Sequence, residues 1–332
     1  MTKPTLTIGK LRGLQTTSSP KGAFTILAFD HRQSFVKMLD VENPDAVTYG
    51  QVAAAKTQII KHLAPHASAV LTDPLYGAAQ GIASGALSGT VGLLVAVEKT
   101  GYTGEATARV TEMIPGWNVA KIKQMGADAV KLLLYYHPGA GELAERQEAL
   151  TAGLIAECRE ADIAFYLEPV SYSIDLENDK NSAAFAAGRP ELIAEIARRL
   201  GALGPDVLKL EFPVDAKHDL DMTSWAEACR QVTEASPCPW AVLSAGVNFE
   251  LFAEQVEAAC KAGASGYIAG RAVWKEGIGM PTAQRATWLE DVAAKRMDRL
   301  SQIADQYAVP WQEYFAPVDL EDLNGWYQSY GE

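Results

Sequence analysis

The chain has few of the residues that most commonly announce a function. Its four cysteines, Cys158, Cys229, Cys238 and Cys260, are widely separated and show no C-x-x-C spacing, so neither a disulfide framework nor a thiolate metal cluster is expected, and they read as reduced thiols. There are five histidines, and only His62 and His66 stand at i, i+4, on a helical stretch; no metal and no other cofactor is expected. No apolar run reaches the roughly 18 residues of a membrane span, and no basic segment followed by an apolar one opens the chain, which predicts a cytoplasmic protein. Positive charge is also scarce: 29 Lys and Arg face 41 Asp and Glu, a net charge of -12. Nucleic acid and anionic membrane are poor partners for such a surface, and an anionic small molecule would need a local positive pocket. No G-x-G-x-x-G follows the first strand-like run, which weakens a dinucleotide-binding reading.

What is present is a regular alternation. Eight short apolar runs read as strands: Phe24 to Asp30, Ser68 to Asp73, Val91 to Glu98, Ala129 to Tyr136, Ile163 to Glu168, Asp206 to Phe212, Trp240 to Ser244 and Gly266 to Ala269. Between them, stretches such as Asp45 to Leu63, Asn118 to Met125, Glu142 to Glu160, Pro190 to Leu200, Ser224 to Ala235 and Phe249 to Ala262 carry Ala, Leu, Glu and Lys at helical spacing. Strands separated by helices pair in parallel. Gly126 and Gly263, each just before a strand, read as left-handed helix stops. The pattern predicts an α/β fold, a (β/α)8 barrel, with residues 1–332 as a single domain: a barrel over about 20–280 and a helical and aromatic C-terminal extension over about 281–332. The segment from Glu98 to Trp117, with Gly101, Gly104 and Gly116, is a candidate lid. The aromatic tail (Trp311, Tyr314, Phe315, Trp326, Tyr327, Tyr330) must bury against the barrel or at a subunit interface; a homo-oligomer is expected.

Barrel active sites lie at the C-terminal strand ends, so polar residues finishing apolar strands are the ones to collect. Lys209 stands out, an amine inside Val207-Leu208-Lys209-Leu210-Glu211-Phe212. Strand alternation sends Leu208, Leu210 and Phe212 one way and Lys209 and Glu211 the other. A lysine in a desolvated site loses charged-state stability and becomes a carbonyl nucleophile, which points to Schiff-base chemistry. Substantial neutrality near pH 7 requires a shift of roughly three pKa units, about 4 kcal/mol; Lys131, ending the fourth strand, is the expected second cation. Asp30 and Glu168, ending the first and fifth strands, are the candidate general acids and bases. The competing reading is a set of barrel salt bridges such as Lys209 with Glu211 or Lys131 with Asp30. At the last two strands, Ser244-Ala245-Gly246 and Ala269-Gly270-Arg271 combine small residues, backbone N–H groups, a hydroxyl and a guanidinium; Ser244, Gly246, Gly270 and Arg271 are therefore the candidate phosphate cradle. Just past the first strand, Arg32 is a candidate for a second anion site and His31 a candidate substrate contact at the distal end of the pocket.

These segments resemble the class I tagatose 1,6-bisphosphate aldolase family, related to sulfofructose 1-phosphate aldolases. The resemblance rests on Ile26-Leu27-Ala28-Phe29-Asp30-His31-Arg32, on Ala129-Val130-Lys131-Leu132-Leu133-Leu134-Tyr135-Tyr136, on Leu167-Glu168-Pro169, on Val207 to Val214, on Leu243 to Val247 and on Arg271-Ala272-Val273-Trp274. It implies Lys209 as the Schiff-base lysine and Glu168 as an acid/base residue. The implied reaction is reversible cleavage of a ketohexose 1,6-bisphosphate into dihydroxyacetone phosphate and glyceraldehyde 3-phosphate, without a metal. One departure bears on the substrate. Many family members read Asp-Gln-Arg where this chain has Asp30-His31-Arg32, a version that resembles an aldolase-like domain associated with inositol breakdown. Sulfofructose 1-phosphate and 2-deoxy-5-keto-gluconate 6-phosphate therefore stay open as substrates, and so does a noncatalytic interaction role on the same fold.

Overall fold

The computed structural model describes residues 3–328, 330 and 331. The eight expected strands form: β1 (Phe24–Ala28), β2 (Ala69–Thr72), β3 (Gly92–Ala96), β4 (Ala129–Tyr135), β5 (Ala164–Val170), β6 (Val207–Glu211), β7 (Trp240–Leu243) and β8 (Gly266–Ala269). Each pairs in parallel with the next, and β8 closes on β1 with Phe24 opposite Gly266, so the sheet is a complete barrel. This is a TIM barrel, with helices in the connections.

Alternation divides the core in two. Phe24, Ile26, Leu71, Leu94, Tyr166, Val207 and Ile268 pack together inside the barrel. Their neighbours, among them Leu27, Val70, Val95, Leu132, Leu167, Leu208, Leu210 and Val242, pack outward against the helices. On β6 this places Leu208, Leu210 and Phe212 in the outer layer, as the period of two requires. Gly126 (φ 92°) and Gly263 (φ 111°) take the left-handed conformation expected of helix stops.

Several elements depart from the sequence reading. The helix expected from Pro190 begins earlier, at Ala183 behind a Ser182 cap, and continues through the proline to Gly201. Short helices Gln33–Leu39, Ala78–Ala83 and Arg271–Ile278 follow β1, β2 and β8. An unanticipated helix, Ile8–Thr16, closes the N-terminal end of the barrel. Its Leu14 is fully buried, Lys10 Nζ lies 2.9 Å from Asp206 at the foot of β6, and Thr17 Oγ1 meets the Tyr166 hydroxyl inside the barrel at 2.6 Å.

The C-terminal stretch expected as helix over Thr282 to Ala308 is Thr282–Trp288, a π-helical turn Leu289–Ala293, and Ala294–Tyr307. Beyond it the aromatic tail divides. Trp311 and Phe315 bury against the barrel floor, with Trp311 Nε1 donating to Ser18 Oγ at 2.9 Å, whereas Trp326, Tyr327 and Tyr330 are exposed. All four cysteines are unpaired and buried, and burial pushes the thiols of Cys158, Cys238 and Cys260 up to about 12. Among the described residues, no helix is long and apolar enough to cross a membrane.

Candidate active site

At the C-terminal mouth of the barrel the strand-end charges converge on one cavity of about 720 Å³, lined by Asp30, Glu98, Glu168, Lys209 and Arg271 among others. Lys209 is 4% exposed. Its Nζ lies 2.8 Å from Glu168 Oε1 on the neighbouring strand β5. The other oxygen of Glu168 lies 2.9 Å from Nζ of the fully buried Lys131. One carboxylate thus bridges two ammonium groups. Neither contact has the alignment of a hydrogen bond, and Oε2 of Glu168 has no hydrogen-bond partner among the described residues.

Lys131 directs its aligned hydrogen bonds elsewhere, to Asp30 at 2.6 Å and Glu98 at 2.9 Å. Burial opposes its charge, but Asp30, Glu168 and Glu98 together hold its pKa well above the usual lysine value. Burial likewise opposes the Asp30 carboxylate, and Lys131 and Lys209 overcome it, holding Asp30 well below the usual range. For Glu98, burial wins over Lys131 and its pKa rises. Lys131, expected as the second cation beside Lys209, has three carboxylates around it, and their field opposes its own.

The last two strands form a second group. Ser244 to Val247 make a tight turn, Val247 N donating to Ser244 O at 3.1 Å, with Ala245 at φ 45° and Gly246 at φ 83°. Successive turn residues of this kind present backbone N–H groups as an anion-binding concavity. The Arg271 guanidinium lies over the turn: a Cβ on Gly246 would come within 3.1 Å of its Cζ. Gly270 N donates to Ser244 Oγ at 3.2 Å, where the helix Arg271–Ile278 starts. His31 joins this side, because a Cβ on Gly270 would sit 3.5 Å from its Cε1. The His31 ring packs edge-on against Trp274 at 5.5 Å. Burial, aided by Arg271 and Lys209 against Asp30, pushes its pKa down to about 3, so the ring is neutral, and its Nδ1 is buried with no hydrogen-bond partner among the described residues.

Arg32 stands apart, on the β3 side. Its Nη1 donates to the Glu98 carbonyl at 2.7 Å and its Nη2 lies 3.6 Å from Glu98 Oε1. The Asp30 to Arg32 segment is held from beneath by Lys56, a fully buried lysine that pairs with Asp73 and donates to the carbonyls of Phe29 and His31, both at 2.7 Å.

Of the competing salt-bridge reading, the Lys131–Asp30 pair forms and the Lys209–Glu211 pair does not; the Glu211 carboxylate takes Lys180 at 2.6 Å and Ser171 N at 2.9 Å. Burial would raise its pKa, but Lys180 and Arg189 hold it down at about 2. Glu98 was not collected as a site residue, although it closes the third apolar run and shares the inward parity of Leu94. Asp73, which closes the second apolar run, was likewise not collected, while Lys180 and Lys56 carried no local signal. The segment after Glu98 folds back on itself through bridges Glu98–Met113 and Thr103–Val110, and its Lys99, Thr100 and Gly101 line the cavity. His62 and His66 pair separately with Glu290 and Asp298.

A closed parallel barrel with lysines and carboxylates gathered at its C-terminal mouth defines an enzyme of the (β/α)8 class. The family described as DeoC/LacD family aldolase matches residues 24–276. The chain is 33% identical over 328 residues to tagatose 1,6-diphosphate aldolase 2 of Enterococcus faecalis, covering 92% of this chain and 97% of that one. It is 33% identical over 329 residues to tagatose 1,6-diphosphate aldolase 1 of Streptococcus pyogenes, covering 93% and 99%. Among solved structures it is similar in fold to an archaeal fructose-1,6-bisphosphate aldolase described with its catalytic lysine covalently bound to the carbinolamine intermediate, at TM-score 0.57 and 19% identity over 89% of this chain and 98% of that one. The chain belongs to the DeoC/LacD family of aldolases, and it is a carbon–carbon lyase.

Proposed function

We propose that the protein is a class I aldolase that cleaves a ketohexose 1,6-bisphosphate such as tagatose 1,6-bisphosphate through a Schiff base on Lys209, with the whole chain serving as one catalytic domain. The observation that carries this reading is the desolvated Lys209 amine, 2.8 Å from a carboxylate inside the cavity. The names of the relatives support the substrate class, and the archaeal fold neighbour, with its covalently bound lysine, supports the mechanism.

In this reading Lys209 gives a proton to Glu168 and attacks the C2 carbonyl carbon as a free amine. Glu168 returns the proton to the carbinolamine hydroxyl, which leaves as water and yields the iminium. The Glu168 carboxylate then takes the C4 hydroxyl proton; the C3–C4 bond breaks, its electron pair moves into the iminium, and a three-carbon aldehyde departs from the enamine. Protonation at C3 and hydrolysis release dihydroxyacetone phosphate and free Lys209. A carboxylate held far below its usual pKa is a weak base, so proton transfer falls to Glu168 rather than Asp30. Asp30 anchors the buried Lys131, whose positive field acts on the cavity through Glu168. Ser244, Gly246, Gly270 and Arg271 hold the C1 phosphate, His31 borders it, and Arg32 addresses the distal anion. The iminium is the electron sink, so the step calls for no metal.

Borohydride trapping with dihydroxyacetone phosphate followed by peptide mapping tests this directly. The expected adduct is on Lys209; an adduct on another residue, or none at all, overturns the Schiff-base mechanism. Comparing rates on tagatose bisphosphate, fructose bisphosphate, sulfofructose phosphate and deoxy-keto-gluconate phosphate ranks the substrates.

A further inference from the structure

We infer that Glu98 is a positioning residue of the lyase reaction: it holds Lys131 on the Asp30 side of the cavity and so keeps Glu168 available to Lys209 and the substrate. The inference rests on the Schiff-base reading of Lys209 and Glu168 given above.

The ammonium of Lys131 has three N–H bonds to direct. Two make aligned hydrogen bonds, to Asp30 at 2.6 Å and to Glu98 Oε1 at 2.9 Å. The approach to Glu168 Oε2 is equally short, 2.9 Å, yet unaligned. Lys131 therefore attracts Glu168 without engaging it in a directed bond. A general base must be free to exchange its proton, and a directed charge-assisted bond from a fixed cation would tie up an oxygen of Glu168. Glu98 is the competing acceptor that prevents this.

Glu98 is placed for that task with unusual redundancy. It is 2% exposed. Its second carboxylate oxygen accepts from Leu133 N at 3.0 Å, which fixes it against β4 two residues beyond Lys131. Its own carbonyl accepts from Arg32, and its backbone bridges to Met113, where the folded-back segment returns. The side chain is thus held from the β1, β3 and β4 sides and cannot follow Lys131 if that side chain swings toward β5. Replacing the carboxylate with an amide weakens the pull on Lys131, which then turns an N–H onto Glu168.

The charged and titratable groups facing this unit are Asp30 and Arg32 from the segment after β1, Lys131 and Tyr135 from β4, Glu168 from β5 and Lys209 from β6. Removing the Glu98 charge leaves the positive field of Lys131 less opposed at Glu168, so the Glu168 carboxylate becomes a weaker base.

The test is the pH profile of kcat for Glu98→Gln and Glu98→Asp, with rates normalised to the fraction of sites trapped by borohydride and dihydroxyacetone phosphate, so that misfolded protein drops out. Glu98→Gln is expected to lower kcat about tenfold at pH 7, part of what general acid–base catalysis contributes, with KM little changed and the acid limb moved to lower pH. Glu98→Asp, which keeps the charge, should leave the acid limb near its wild-type position. If both variants lose rate equally with an unmoved acid limb, the residue only fills space and the inference falls. It also falls if Glu98→Gln keeps the wild-type kcat and profile. If the wild-type enzyme itself traps no adduct on Lys209, the Schiff-base reading fails first, a result distinct from either.

Discussion

The two ends of β6 carry the same pair of chemical groups and use them differently. At the foot of the strand, Lys10 donates to both oxygens of Asp206, at 3.1 and 2.9 Å, and Asp206 also accepts Phe165 N at 2.8 Å. At the mouth, Lys209 and Glu168 sit equally close, yet their contact is unaligned and Glu168 faces a second ammonium. Both pairs are buried. The difference lies in direction: the lower pair is joined by aligned hydrogen bonds and fastens the N-terminal helix, while the upper pair has none between its members. A buried ion pair alone does not mark an active site; a buried ion pair with unspent hydrogen-bonding capacity does.

The largest expected contrast comes from Lys209→Met, which should lower turnover by about 10⁵–10⁶-fold, as loss of a nucleophile does, and leave the unfolding midpoint unchanged or raised, because Glu168 keeps Lys131; steady-state cleavage and urea unfolding read both sides. Next, Glu168→Gln should reduce kcat by about 10²–10⁴-fold with little change in stability, seen in the same two assays. The reverse profile belongs to Lys10→Met: it strands the Asp206 carboxylate and should cost about 3–5 kcal/mol of stability, with kcat per folded molecule unchanged in cleavage assays at low temperature. A Lys10→Met enzyme that loses turnover while staying folded would erase the distinction between the two ends.

His31 sharpens the comparison through pH. Its folded pKa of about 3 lies below the unfolded value of about 6.5, so as pH falls the unfolded chain binds the proton first. The titration of His31 thus contributes no pH dependence above about pH 7 and erodes stability progressively from about pH 6.5 downward. Wild type should lose stability relative to His31→Gln between pH 7 and pH 4, measured as urea midpoints; a constant difference would show that the ring is not desolvated. The smallest effect is expected at Ala245, whose φ of 45° burdens a side chain: Ala245→Gly should raise stability by about 1 kcal/mol, by the same measurement.

The barrel was legible because its signals are local. Each strand is an apolar run, and parity along β6 or β4 sorts the greasy face from the charged one. Glu98 was equally legible by that rule, as the inward-parity end of the third run, but the glycine-marked segment beyond it drew the boundary of a loop instead. Other parts lie in long-range geometry. The helix Ile8–Thr16 contains two glycines, which count against a helix from propensity. They are there for close approach: a Cβ at Gly9 would fall 2.4 Å from the Asp162 carbonyl, and one at Gly13 would fall 2.6 Å from that of Asp128. Lys56 and Asp73 come from a helix and a strand end that only the fold brings together. Pro190 suggested a helix start, but the Ser182 cap eight residues before it sets the true one. The partners of Glu211 were missed for the same reason: Lys180 and Arg189 reach it from the β5–β6 connection.

One further consequence concerns traffic into the barrel. The Arg109 guanidinium, carried on the segment that folds back after Glu98, lies 4.5 Å from the Tyr102 ring centre, 5.8 Å from that of Tyr135 and 5.6 Å from that of Tyr172. Lifting the segment away from β4 and β5 would unstack the cation from Tyr135 and Tyr172, each contact worth about 0.5–2 kcal/mol. The segment is thus pinned to the ends of β4 and β5, and the substrate proposed above would reach Lys209 down the barrel axis, past Arg271 and Arg32.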